Sequence, residues 1–275
     1  MSPAPFDVVD VDDPADPRLD DFRDLNSVDR RPDLPTGRGL VIAEGVLVVQ
    51  RMLLSRYTPR ALLGTDRRLG ELAGGRTSAG VPYYRVTAEV MADVVGFHLN
   101  RGVLAAARRP GELSVARVLD GAHTVAVLEG VNDHENLGSI FRNAAGLDVD
   151  AVVLGTGCAD PLYRRAVRVS MGHVLLVPYA WAAAWPLDLA ILREQGFGLL
   201  AMTPDLRALA LPEAMATVGT DRLAVLVGAE GPGLTEAAMR SSDLRVRIPM
   251  SRGTDSLNVA TAAALAFYER ARCTA

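Results

Sequence analysis

Between residues 124 and 248, short apolar runs recur at 124–128, 151–154, 174–177, 198–202, 223–227 and 244–248, with helix-like stretches between most of them. Runs of this length, rich in Val, Leu and Ala and each closed by a turn, read as strands buried on both faces. Strands that alternate with helices are joined by crossovers, which predicts an α/β domain: a parallel sheet with helices on both of its faces. In such a sheet ligands settle beyond the carboxyl ends of the strands. The loops that follow the runs are therefore where chemistry is to be sought.

A shorter alternation precedes this one. Strands are expected at 40–43, 61–63, 83–86 and 103–107, and helices at 46–55, 69–73 and 88–95. This predicts a small α/β unit spanning residues 36–108, a linker at 109–122 and a larger domain at 123–275. Residues 1–35 hold ten Asp and six of the sixteen prolines. That composition supplies too little apolar area to fold alone, so a flexible acidic arm is expected.

The formal net charge of -4 conceals a segregation along the chain. Residues 1–35 carry ten Asp and four Arg, net -6; residues 36–108 carry ten Arg against five acids, net +5; the remainder carries fifteen Arg against eighteen acids, net -3. A basic segment within an acidic protein points to a polyanionic partner. None of the 29 basic residues is lysine. Schiff-base chemistry, a phosphate-loop lysine and a lysine base are excluded, and what remains are planar guanidinium groups suited to phosphate. Two cysteines and four scattered histidines offer neither a disulfide framework nor zinc-ligand spacing, so a reduced, cytoplasmic, metal-free protein is expected. No secretory signal is read at the start. The stretch 169–187 lacks Asp, Glu, Lys and Arg but is broken by Gly172, Pro178 and Pro186, so it is expected as buried strand and turn, not a membrane span.

Three loops in the larger domain carry polar residues. The first runs from Glu129 into a helix, with Asn136 expected as its N-cap and Arg142 six residues on. The second is Gly228-Ala-Glu230-Gly231-Pro-Gly233-Leu, in which glycines let a ligand lie against the backbone and a helix N-terminus follows. Glu230 repels phosphate there and favours a neutral or cationic ligand. The third runs from Ile248-Pro-Met250 to Ser256-Leu257-Asn258-Val259 and opens an Ala-rich helix expected at 260–270, where Ser256 and Asn258 suit capping. Taken singly, a capped helix or a tight turn accounts for each.

Together, Asn136-x-Gly138-x-x-x-Arg142, Gly228-x-Glu230-Gly-x-Gly-Leu and Ile248-Pro-Met with Ser256-Leu-Asn258-Val resemble the three ordered motifs of the SpoU, or TrmH, family of RNA ribose 2′-O-methyltransferases. Ser170-Met-Gly172 ahead of Pro178 is similar to a further family feature. The resemblance implies an α/β trefoil-knotted methyltransferase domain that binds S-adenosylmethionine, releases S-adenosylhomocysteine, uses no metal and forms a homodimer. It places Met202, Thr203, Gly228, Gly231, Ile248, Met250 and Leu257 at the cofactor, and Asn136, Arg142, Glu230, Ser256 and Asn258 at the reaction centre. Residues 36–108, with Ala43-Glu44-Gly45 before an apolar helix, resemble the small L30e-like substrate-binding domain that many family members carry. The implied partner is RNA, with rRNA favoured over tRNA. Two rivals remain: a non-catalytic RNA-binding protein of the same fold, and a Rossmann-type oxidoreductase, whose glycine fingerprint is missing after the first strand of the domain.

Overall fold

The computed structural model describes residues 6–25, 39–73, 80–218, 221–251 and 253–274, which form two compact units. The first contains residues 6–25, β1 being Asp7–Asp10, followed by β2 Leu40–Glu44, α1 Val46–Leu54, β3 Pro59–Gly64, α2 Asp66–Ala73, β4 Pro82–Arg85, α3 Ala88–Val95 and β5 Val103–Arg108. Its five-stranded sheet has the order β1-β4-β3-β5-β2, with β5 antiparallel to both neighbours. Every strand and helix expected from residue 40 to residue 107 is present, with ends displaced by no more than three residues.

The expectation of a flexible arm is corrected over residues 6–25. Strand β1 pairs in parallel with β4, and Phe6, Leu19, Phe22 and Leu25 are buried. Aspartates of this segment reach arginines of the basic one: Asp10 meets Arg85 at 2.6 Å and Asp21 meets Arg60 at 3.3 Å. Composition hid this because the buried apolar side chains are scattered among aspartates without a period, and the strand that β1 pairs with lies about 75 residues away. The remaining residues of the expected arm, 1–5 and 26–38, lie outside the described residues.

The second unit opens at Glu112, inside the expected linker, which holds α4 Val115–Leu119 with Leu119 fully buried. There follow β6 Thr124–Glu129, α5 His134–Gly146 and β7 Ala151–Leu154. Residues 161–176, with α6 Arg164–Val169, cluster with the first unit, so the division by sequence at residue 123 is not the division in space. Arg164 pairs with Glu44 at 3.0 Å, and Gly172 meets the Val48 backbone closely enough that an added Cβ would lie 3.3 Å from its Cα. The second unit resumes with β8 Tyr179–Trp181, α7 Leu189–Glu194, β9 Gly198–Met202, β10 Leu209–Ala210, α8 Leu211–Thr217, β11 Leu223–Gly228, α9 Glu236–Arg240, β12 Leu244–Arg247 and α10 Val259–Thr274.

Its seven strands form a parallel sheet of order β10-β12-β9-β11-β6-β7-β8. Successive residues of β6 point to opposite faces and all are buried. Val125 and Val127 join Ala224, Leu226 and the apolar sides of α4, α7 and α9 in one core, and α10 packs against α5 and β11. The run at 174–177 is not a strand. It lies at a 3-10 turn, His173–Leu175, and the strand comes after Pro178; four consecutive apolar residues carry no period that separates the two.

Arg222, just before β11, ties three loop ends at the amino edge of this sheet. Its guanidinium donates to the carbonyls of Ala122 at 2.8 Å, Gln195 at 2.8 Å and Leu119 at 2.6 Å, and lies 4.3 Å from the Phe197 ring centroid. Replacing it with Ala strands three carbonyls, and a loss of about 2–3 kcal/mol of stability is expected from urea unfolding. Lys, a point charge without the planar fork, should recover less than half of that loss.

Candidate active site

The order β12-β9-β11-β6 brings the carboxyl ends of four strands side by side. The loop after β11 is the tightest. An ideal Cβ on Gly228 would fall 2.1 Å from the Gly233 carbonyl carbon, Gly233 N donates to Ala229 O at 3.0 Å, and Gly231 and Gly233 hold φ of +89° and +71°. Side chains other than Gly resist that left-handed region.

A cavity of about 460 Å³ opens between this loop, the end of β9 and the segment that leads into α10. Met202, Thr203, Gly228, Gly231, Ile248, Met250 and Leu257 all line it, as do Glu230, Ser256 and Asn258. Asn258 links the segments. Its Nδ2 donates to Asn136 Oδ1 at 2.7 Å and to Glu230 Oε1 at 2.8 Å, while its Oδ1 accepts from the backbone N of Ala260 and Thr261 and so caps α10. One amide thus joins three loops, the first and last of which lie 122 positions apart in the sequence.

Asn136 is not the N-cap of α5. Asp133 is: its carboxylate accepts from the N–H of Glu135 and Asn136, which frees the Asn136 side chain for Asn258. The expected cap failed because Asp, Asn and Ser all suit the position and the segment offers both Asp133 and Asn136. Arg142 stands apart. It is exposed, does not line the cavity, and bonds to no other described residue through its guanidinium. At 100° per residue it lies about 120° around the helix from Asn136.

Sequence reasoning passed over Glu129, the last residue of β6, which is 3% exposed and accepts from Trp185 Nε1, from Thr235 N at 2.8 Å and from Thr235 Oγ1 at 2.9 Å. An acid closing an apolar strand was the available signal. Trp185 packs against the core. Cys158, in the loop after β7, donates to Leu128 O, and burial pushes its thiol up to about 11. It stays a thiol at neutral pH and provides no nucleophile here.

The SpoU rRNA Methylase family model matches residues 123–268. A Mycobacterium bovis protein described as an uncharacterized tRNA/rRNA methyltransferase is 77% identical over 270 residues, 98% of this chain and 94% of its own. A 23S rRNA (guanosine-2′-O-)-methyltransferase of Bordetella pertussis is 31% identical over 212 residues, 75% of this chain and 84% of its own. Among solved structures, the AdoMet-bound rRNA methyltransferase of Sinorhizobium meliloti has the same fold, with a TM-score of 0.78 at 22% identity over 96% of this chain and 98% of that one. Parallel sheet and motif loops together define an RNA methyltransferase. The chain belongs to the SpoU rRNA methylase family.

Proposed function

We propose that the protein transfers a methyl group from S-adenosylmethionine to a ribose 2′-hydroxyl of structured RNA, with ribosomal RNA ahead of transfer RNA. The observation that carries this is the Asn136–Asn258–Glu230 hydrogen-bonded set at a glycine-walled cavity, in a chain whose Bordetella relative is named for 2′-O transfer. In the same reading residues 36–108 form an L30e-like RNA-binding domain, the catalytic domain is a trefoil knot and the protein is a homodimer.

The cavity suits the cofactor. Its volume falls in the range of small-molecule sites, about 300–1,000 Å³, and Ile248, Met250 and Leu257 give it an apolar side that fits an adenine ring. The glycine loop brings backbone against a ligand without intervening side chains, and Glu230 offers a carboxylate to a sulfonium or to polar substrate groups. When bound, S-adenosylmethionine supplies an electrophilic methyl group.

The chain's own tasks are alignment and removal of the hydroxyl proton. Asn258 holds Glu230 and Asn136 at fixed distances, so the polar mouth is organised before RNA arrives. Orientation of this kind contributes on the order of 7–11 kcal/mol in favourable cases. Arg142, permanently charged and with no acceptor, clamps phosphate and stabilises the developing alkoxide, and the proton leaves through phosphate, Ser256 or water. DNA lacks the attacking hydroxyl, which makes RNA the substrate.

The test is incubation with methyl-labelled cofactor and total RNA. Label is expected in RNA and should resist alkaline cleavage at one nucleotide, the mark of a blocked 2′-oxygen. Label on a base would overturn the 2′-O assignment, and a protein that binds RNA without transferring label would leave only the non-catalytic reading.

A further inference from the structure

Glu129 is a buried carboxylate that the reaction as proposed does not use. It ends β6 directly opposite Gly228 in the sheet, and its side chain receives both the backbone N–H and the hydroxyl of Thr235 together with the Trp185 indole N–H. Thr235 is where the glycine loop ends: its hydroxyl accepts from Ala238 N at 3.2 Å and caps α9. The loop of residues 228–234 is therefore pinned at one end by β11 and at the other by this carboxylate. Gly130, next to Glu129, is pressed against the same loop, since a Cβ there would lie 3.0 Å from Ala229 Cβ.

We propose that Glu129 is a positioning residue which, acting through Thr235, holds the glycine loop in the shape that receives the cofactor. The proposal rests on the reading of this cavity as the S-adenosylmethionine site. The residue type is decided by donor count. Three donors converge on two oxygens, which an acceptor-only carboxylate satisfies; an amide of the same size must turn its own NH2 toward Trp185 or toward the Thr235 N–H. Glu129→Gln thus keeps the volume and creates a buried donor–donor conflict at the base of the loop.

The experiment is calorimetric titration of the full-length protein with S-adenosylhomocysteine, beside steady-state kinetics and thermal unfolding. Glu129→Gln is expected to weaken binding about tenfold, since a buried donor left unsatisfied costs of that order. The KM for the cofactor should rise to match while kcat stays within about twofold, because lost ground-state binding alone has that signature. Thr235→Val should weaken binding, Thr235→Ser should restore it, and the double variant Glu129→Gln/Thr235→Val should be no weaker than Glu129→Gln alone, the non-additivity of a shared contact. A Glu129→Gln protein with a lower melting temperature but wild-type affinity would overturn the proposal, leaving Glu129 a stabilising residue only. So would a fall in kcat at unchanged KM. Should the wild type fail to bind the nucleoside, the assignment of the cavity falls and this proposal with it; binding by the wild type and equally by Glu129→Gln overturns this proposal alone.

Discussion

Replacing Gly228 with Ala is expected to weaken S-adenosylhomocysteine binding by at least about a hundredfold. The added carbon would sit 2.1 Å from the Gly233 carbonyl carbon and 2.2 Å from Leu234 N. Both are backbone atoms, so no rotamer change relieves the overlap. The far limb of the loop must retreat by more than an ångström to reach ordinary contact, which breaks the Gly233 N to Ala229 O bond and moves Gly231 and Gly233 on the cavity wall. Gly231→Ala is the control. It has open space around its Cβ and suffers only from a φ of +89°, a strain of about 1–2 kcal/mol. Its binding should lie between wild type and Gly228→Ala. Equal affinities for Gly228→Ala and wild type would show that the loop does not form the binding wall.

The sheet of the second unit was legible because its strands are buried on both faces, so β7 and β9 appear as unbroken apolar runs with the ends the structure gives them. β10 was missed, being two residues long at the sheet edge, half-buried and carrying no pattern. At the site, the glycine loop and Asn258 were legible from residue type and position, since a tight turn after a buried strand needs glycine and a helix mouth favours a short amide. What pattern could not give was partnership. The bonds from Asn258 to Asn136, 122 positions away, and from Glu129 to Thr235, 106 positions away, depend on which strands are neighbours in the sheet, and local periodicity contains nothing about that. The same limit governs the acidic N-terminal segment, whose few buried side chains become informative only once β4 is known to lie beside β1.

Arg142 separates cofactor binding from turnover. Because it is exposed and off the cavity wall, Arg142→Ala should leave the affinity for S-adenosylhomocysteine within about twofold of wild type. Turnover should fall by about 10²–10³-fold, the usual consequence of removing one donor from a developing oxyanion. No bond to another described side chain competes for its guanidinium, so a phosphate can take the whole planar fork. Arg142→Lys distinguishes the two ways in which the residue could act. If positive charge near the alkoxide is what matters, Lys retains most of the rate while Ala loses it and both bind RNA normally. If the fork must hold phosphate in two places at once, Lys loses nearly as much as Ala, and RNA affinity falls in both. A base role predicts something different again: a rate with an alkaline limb that Lys displaces. The absence of such a limb, with Lys active, assigns proton removal elsewhere and leaves Arg142 to act through charge; a wild-type rate in Arg142→Ala would remove it from the reaction altogether.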